Sequence, residues 1–199
     1  MRNKKLRLWC IVLAVAMLLV ALPVTAMAAS AEGISTAAEL QNMEKDGNYV
    51  LLNDINGADL ETIPEFSGTL NGNGYSISNL AQPLFGLLDE ATVTNLSLDK
   101  VQIEGTFALA EGASDIKLGA LAQEISYSTV DGVQVSGTVD VTLTDDHLVG
   151  GLCGFASRSI ISNCSFDGDL TVDATDAENS YVGGMAGSTW VQDAPGVFL

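Results

Sequence analysis

The sequence predicts an all-β protein, a right-handed parallel β-helix entered through a short N-terminal capping helix, and three observations carry that prediction. A phrase of apolar residues and glycine occurs four times: Leu84-Phe85-Gly86-Leu87, Leu118-Gly119-Ala120-Leu121, Val149-Gly150-Gly151-Leu152 and Val182-Gly183-Gly184-Met185. Successive copies start 34, 31 and 33 residues apart. Such a period marks a stacked repeat, in which each unit buries its apolar side only against its neighbours. A second phrase follows at a near-fixed phase: Val93-Thr94-Asn95-Leu96-Ser97-Leu98, Val130-Asp131-Gly132-Val133-Gln134-Val135 and Ile161-Ser162-Asn163-Cys164-Ser165-Phe166. In each, the alternation slips at Asn95, Gly132 or Asn163, residues that enter the left-handed region at low cost, so a bend is expected there. Finally, beyond the N-terminal segment no stretch has helical periodicity, and turn residues arrive about every ten positions. A β-sandwich is the competing fold, but it gives no reason for a bend residue to recur at one phase.

Residues 1–28 read as a signal peptide. Arg2, Lys4, Lys5 and Arg7 form a basic start, Ile11 to Val24 is almost continuously apolar, and Ala26-Met27-Ala28 offers the small residues at which such segments are cut. Cys10 precedes the apolar run and so is not a lipid-attachment cysteine. This segment takes four of the eight basic residues and none of the 25 acidic ones. Only Lys45, Lys100, Lys117 and Arg158 remain as cations. A field of that sign excludes nucleic acid and anionic membranes as partners, so the membrane is met only through the signal segment. The expected location is secreted or at the cell surface.

In residues 33–48, Thr36-Ala37-Ala38-Glu39 has the spacing of a capping box, and Leu40 and Met43 follow at helical spacing. A helix from about Thr36 to Lys45, stopped by Asp46-Gly47-Asn48, is expected to cover the open first coil. The β-helix is expected over 49–190. Tyr49-Val50-Leu51-Leu52, Phe66-Ser67-Gly68-Thr69-Leu70 and Tyr75 to Leu80 are its first strands, with Asn71-Gly72-Asn73-Gly74 a turn between the last two. A second break is expected at Gly137 and Gly168, after which Val139, Val141 and Leu143, or Leu170 and Val172, alternate. One period thus holds three short strands, two bends and a looser loop, a three-sided coil. Cys153 and Cys164 fall where sister repeats carry Ala122 and Val133, the setting of buried thiols, although one pair in an exported protein also permits a disulfide. The repeat fades from Trp190, and 191–199 read as an incomplete end, as though the chain were the N-terminal piece of a longer protein.

Val149-Gly150-Gly151-Leu152-Cys153-Gly154, continuing to Ile161-Ser162-Asn163-Cys164, resembles the GLUG motif of bacterial surface proteins. The stretch from Gly33 through Thr36-Ala37-Ala38-Glu39-Leu40 and Gly68-Thr69-Leu70-Asn71-Gly72-Asn73-Gly74 to Leu84-Phe85-Gly86 resembles the β-helical N-terminal regions of adhesin-like proteins and of M26-type IgA-specific metalloproteases. The resemblance implies a scaffold without the proteases' catalytic domain. Phe85-Gly86 departs from the glycine pair, so the first coil is expected to be irregular.

No residue set assembles a catalytic, cofactor or metal site from spacing. His147 is the one histidine, whereas a zinc peptidase helix needs two on one face. Asp145-Asp146-His147 invites a base-and-orienter reading but reads better as a solvated loop between strands. Uronate lyase chemistry wants clustered cations, and the four here are scattered. Glu111, Asp115, Asp145, Asp146, Asp173, Asp176 and Glu178 are expected to align as an acidic ridge; it could gather calcium, though a solvated, solubilising face explains it better. Asn95-Leu96-Ser97 and Asn163-Cys164-Ser165 match the glycosylation pattern, but both asparagines are the expected bends. The expected function is therefore a non-enzymatic, adhesin-like module that binds extracellular glycans or proteins. The alternatives are a carbohydrate-active enzyme using two close carboxylates, or a structural spacer.

Overall fold

In a computed structural model, the structure describes residues 30–109, 112–174 and 177–190. The expected signal segment and the expected incomplete end at 191–199 lie outside these. The described chain is a parallel β-helix, with three sheets in which every strand pair is parallel. The largest sheet runs β1 (Glu32–Ile34), β2 (Asn48–Leu51), β5 (Thr69–Asn71), β8 (Thr92–Phe107), β11 (Thr129–Leu143) and β14 (Ile160–Ser162). On the same sheet β15 (Ser165–Ala174) pairs with β11, and β6 (Ser76–Ser78) pairs with β3 (Ile55–Asn56) and β8. A second sheet stacks β4 (Ile63–Phe66), β7 (Phe85–Asp89), β10 (Ala122–Ser126), β13 (Cys153–Ser157) and β17 (Ala186–Trp190). A third stacks β9 (Ile116–Leu118), β12 (His147–Gly150) and β16 (Ser180–Gly183).

The register confirms the repeat as a stack. Tyr49, Leu70, Val93, Val130 and Ile161 form one column, each of them buried. Ile63, Phe85, Ala122, Cys153 and Ala186 form another. Leu118, Val149 and Val182 align as the glycine phrase requires. The bends are where the phase slips: φ is +51° at Asn95, +67° at Gly132 and +53° at Asn163.

Glycine in the phrase is dictated by close approach between coils. A Cβ on Gly119 would lie 2.2 Å from the Cα of Cys153, and one on Gly150 would lie 2.6 Å from the Cα of Ala186. Real Cβ atoms do not come that near, so any side chain would push the next coil away.

Several expectations need correction. The helix, α1, is only Ala37–Gln41. Its capping box forms as expected, Thr36 Oγ1 accepting from the Glu39 amide and Glu39 Oε2 from the Thr36 amide, but Asn42 ends it by turning its own amide and Nδ2 back onto the last carbonyls. It does not precede the strands, because β1 comes before it and pairs with β2; α1 is the connection between them. The copy at Leu84 belongs three residues later in the pattern. Phe85 aligns with Ala122, 37 residues on, so Leu84 faces Leu121 rather than Leu118. The coil there is longer because β9 has been added, and the three-sided reading omitted that wall. Within each long coil the second and third expected strands are one element, β11 or β8, kinked rather than broken. Trp190 continues the repeat, paired with Ser157.

Candidate binding surfaces

A second line of left-handed residues runs along another corner of the coils. After Asp89, Ser126 and Ser157, which are in register, come Glu90, Tyr127 and Arg158, with φ of +57°, +48° and +49°. For such residues this region costs on the order of 1–3 kcal/mol each, and buried serines offset it. Ser128 Oγ donates to the Ser126 carbonyl and accepts from the Ala91 amide. Ser159 Oγ donates to the Ser157 carbonyl and accepts from the Ser128 amide. The signal was present as Ser126-Tyr127-Ser128 and Ser157-Arg158-Ser159, 31 residues apart.

That corner throws its side chains outward into a stack. The Arg158 guanidinium lies 5.1 Å from the Tyr127 ring centre and 4.9 Å from that of Trp190, and Arg158 Nη1 donates to the Tyr127 hydroxyl. Tyr127, Trp190 and neighbouring Ile160 are about half exposed, at 54%, 46% and 53%. A cation between two rings is attracted to both faces and holds them in place. Exposed rings fixed in this way offer flat apolar area at little entropic cost, the property of a recognition surface.

A concavity of about 380 Å³ is lined among others by Pro64, Gly86, Phe107, Asp115, Lys117 and Glu124. Lys117 Nζ sits 2.7 Å from Glu124 Oε2, 3.8 Å from Asp115 Oδ1 and 5.5 Å from the Phe155 ring centre. Asp115 and Glu124 are the carboxylates beside Lys117 in this concavity. The ammonium is hydrogen-bonded to one and close to the other, so their charge is already answered from within the protein.

His147 is not in a solvated loop. It opens β12 and is fully buried. Its Nδ1 is 2.8 Å from the Asp145 carbonyl and its Nε2 is 2.6 Å from Ser180 Oγ. The pairing fits a neutral ring that donates through Nδ1 and accepts the serine proton through Nε2. It is a serine–histidine pair, but the third member is a main-chain carbonyl. That atom fixes the tautomer and supplies no charge to stabilise an imidazolium, so the pair is a structural rung between coils.

The acidic residues divide by role. Asp146 accepts from Asn179 Nδ2 at 2.7 Å and from the Asn179 and Glu178 amides at 2.9 and 3.0 Å, and these bonds, led by the Asn179 side chain, hold its carboxyl below the usual range. Asp131 is likewise held low by Ser162 Oγ and Asn163 Nδ2, both at 2.7 Å. Each is a staple to the following coil. Asp173 and Glu178 are exposed, and Glu111 and Asp176 lie outside the described residues. Among the described residues no three acidic, histidine or cysteine side chains converge as metal ligands would. Cys153 and Cys164 are both free thiols, at the positions of Ala122 and Val133. Burial pushes the Cys153 thiol up to about 12 and raises that of Cys164.

Comparison with known proteins gives these surfaces a context. Residues 145–172 match the model of the GLUG motif. Over 161 residues the chain is 35% identical to an immunoglobulin A1 protease of Streptococcus pneumoniae, covering 73% of this chain and 7% of that protein. Over 138 residues it is 38% identical to an immunoglobulin A1 protease of Streptococcus sanguinis, covering 66% and 7%. It is also 28% identical over 175 residues to a zinc metalloprotease, ZmpC, of Streptococcus pneumoniae, covering 83% and 8%. The chain therefore spans less than a tenth of the length of these relatives. No solved structure matches. Residues 37–137, half of the chain, match the model of the M26 IgA1-specific metallo-endopeptidase N-terminal region, and the chain belongs to that family.

Proposed function

We propose that this chain is an exported, non-catalytic β-helical module that binds an extracellular protein or glycan through the Tyr127–Arg158–Trp190 surface. The observation that carries this reading is the pair of half-exposed rings held on one guanidinium, beside exposed Ile160, on an otherwise acidic protein. Its membership of a protease N-terminal family supports a role outside the chemical step, because the matched part is a small, non-peptidase share of the relatives. The export signal read in residues 1–28 supports an extracytoplasmic setting.

The test is a glycan array and a protein pull-down with the wild-type chain and with Tyr127→Ala/Trp190→Ala. Captured ligands should bind the double variant at least tenfold more weakly. A ligand held equally well by both would move the contact elsewhere. A second reading rests on the cavity carboxylates: a glycosidase using Asp115 and Glu124 would lose turnover in Asp115→Asn and Glu124→Gln, and polysaccharide hydrolysis by the wild type alone would favour it.

A further inference from the structure

We propose that the concavity beside Lys117 is a binding site for an uncharged sugar unit of a glycan, held without being cleaved. This site is separate from the aromatic stack and does not depend on it. It arises inside the solenoid, where the coils change length. From β6 to β7 the chain crosses directly through Asn79–Leu84, whereas from β8 to β10 it also builds β9. The two coils meet at both ends of that crossing, the Gln102 amide donating to the Leu80 carbonyl and the Leu84 amide to the Ala120 carbonyl. Residues between 102 and 120 of the longer coil therefore project past the shorter one. The concavity forms at this step, with Phe107 and Lys117 on the projecting coil and Pro64, Gly86 and Leu87 on the short-coil side. Its volume falls within the roughly 300–1,000 Å³ of small-ligand sites.

The chemistry of the lining specifies the occupant. Phe107, Pro64 and Leu87 offer apolar area to the C–H face of a sugar ring. The polar groups both donate and accept, as sugar hydroxyls do. Lys117 carries three N–H donors, one of which goes to Glu124 Oε2, and the Gln123 amide supplies a donor and an acceptor. Asp115 Oδ2 accepts from Ser114 Oγ at 2.6 Å, but Oδ1 is buried and accepts no hydrogen bond, with Lys117 Nζ 3.8 Å away. A buried acceptor without a donor is costly. The Asp115 side chain is 24% exposed, so a small rotation brings that oxygen to a ligand hydroxyl, the donor it lacks. Charge narrows the class further. Two carboxylates around one ammonium leave the site negative, on a chain with 25 acidic residues, so a sugar bearing a carboxylate is repelled. A cationic ligand finds its place beside the carboxylates already held by Lys117.

The test is saturation-transfer NMR of the full chain with a panel of neutral mono- and disaccharides and their sialylated or uronate counterparts, followed by titration of the backbone amide spectrum. At least one neutral sugar should bind saturably and shift the amides of Phe107, Lys117 and Gln123, and its acidic counterpart should bind at least tenfold more weakly. Affinity should fall at least tenfold in Asp115→Ala, and also in Ala108→Trp, which fills the concavity from an exposed lining position, with unchanged circular dichroism. The sugar should be recovered intact. Failure of every neutral sugar to bind at millimolar concentration, or equal binding by Ala108→Trp, would overturn the proposal. Binding lost in Tyr127→Ala/Trp190→Ala but kept in Ala108→Trp would move the contact to the aromatic stack, overturning this site and leaving that one standing. Cleavage of the sugar that stops in Glu124→Gln would make the site a glycosidase and overturn it too.

Discussion

The N-terminal and C-terminal halves of the solenoid are built to different gauges. The first pair, Glu32–Tyr49, is 17 residues apart, and the partners that follow are 21 to 23 apart, as in Tyr49–Leu70, Leu70–Val93 and Ile63–Phe85. Beyond Phe85 they are 37, 31 and 33 apart, along Phe85–Ala122–Cys153–Ala186. The extra residues build the wall of β9, β12 and β16, which the short coils lack. That wall sends Leu118 and Val149 inward, both almost completely buried, and the interior volume they take is withdrawn from the second sheet. Ala122 and Cys153 accordingly stand where Phe85 stands. Phe85 stacks at 5.4 Å on Phe66 of the preceding coil, which is in register with Leu88. Close packing is conserved while the residues that achieve it change.

The halves also differ in how deeply their phenylalanines are buried. Phe85 is fully buried with a coil on either side, and Phe166 is half-buried on β15, which among the described residues pairs only with β11. Phe85→Ala should therefore cost about 4 kcal/mol in urea unfolding, and Phe166→Ala well under half of that. Equal losses would mean that the two rings are equally well packed. Next in size, Gly119→Ala meets the backbone of Cys153 and should cost about 3 kcal/mol. Gly184→Ala, with nothing within 4 Å of its Cβ position, should change stability by about 0.5 kcal/mol or less. At the other end, Thr36→Ala removes the cap of α1 and should cost about 1 kcal/mol, read from the same unfolding curves.

The smallest effect concerns acid stability. The folded-state carboxyls of Asp131 and Asp146 lie below their unfolded values. Their contribution is complete above the unfolded value, near 3.8, and disappears as pH falls through the folded ones. Asp131→Asn/Asp146→Asn should be less stable than wild type at pH 7, with the difference closing in acid. A difference that persists at low pH would show that these groups act through shape alone.

How much of this was readable from residue names follows the same division. The long coils announced themselves because their corners accept only glycine, as at Gly119 and Gly150, and their bends select Asn or Gly at 95, 132 and 163. Steric exclusion leaves a mark in the alphabet. The short coils are marked by apolar residues that many strands share, so residue names alone do not show the period near 22, and Leu84 falls three residues out of step with the glycine phrase. The recognition surface was hidden for another reason. Tyr127 and Arg158 occupy left-handed corners that ordinarily go to Gly or Asn, and only the flanking serines at 126, 128, 157 and 159 make those conformations affordable. His147 looked solvated beside two aspartates, yet its position in register with Ile116 places it inside. The capping box at Thr36 was legible because both partners lie within one turn.

The decisive measurement is the set of methyl–methyl contacts in a spectrum of the isotope-labelled chain, read at Val93, Val130 and Ile161. Neighbouring strands are about 4.8 Å apart, so strong cross-peaks are predicted for Val93 with Val130 and for Val130 with Ile161, and none directly between Val93 and Ile161. A missing Val130–Ile161 contact, or a direct one between Val93 and Ile161, would contradict the stacking on which every surface described above depends.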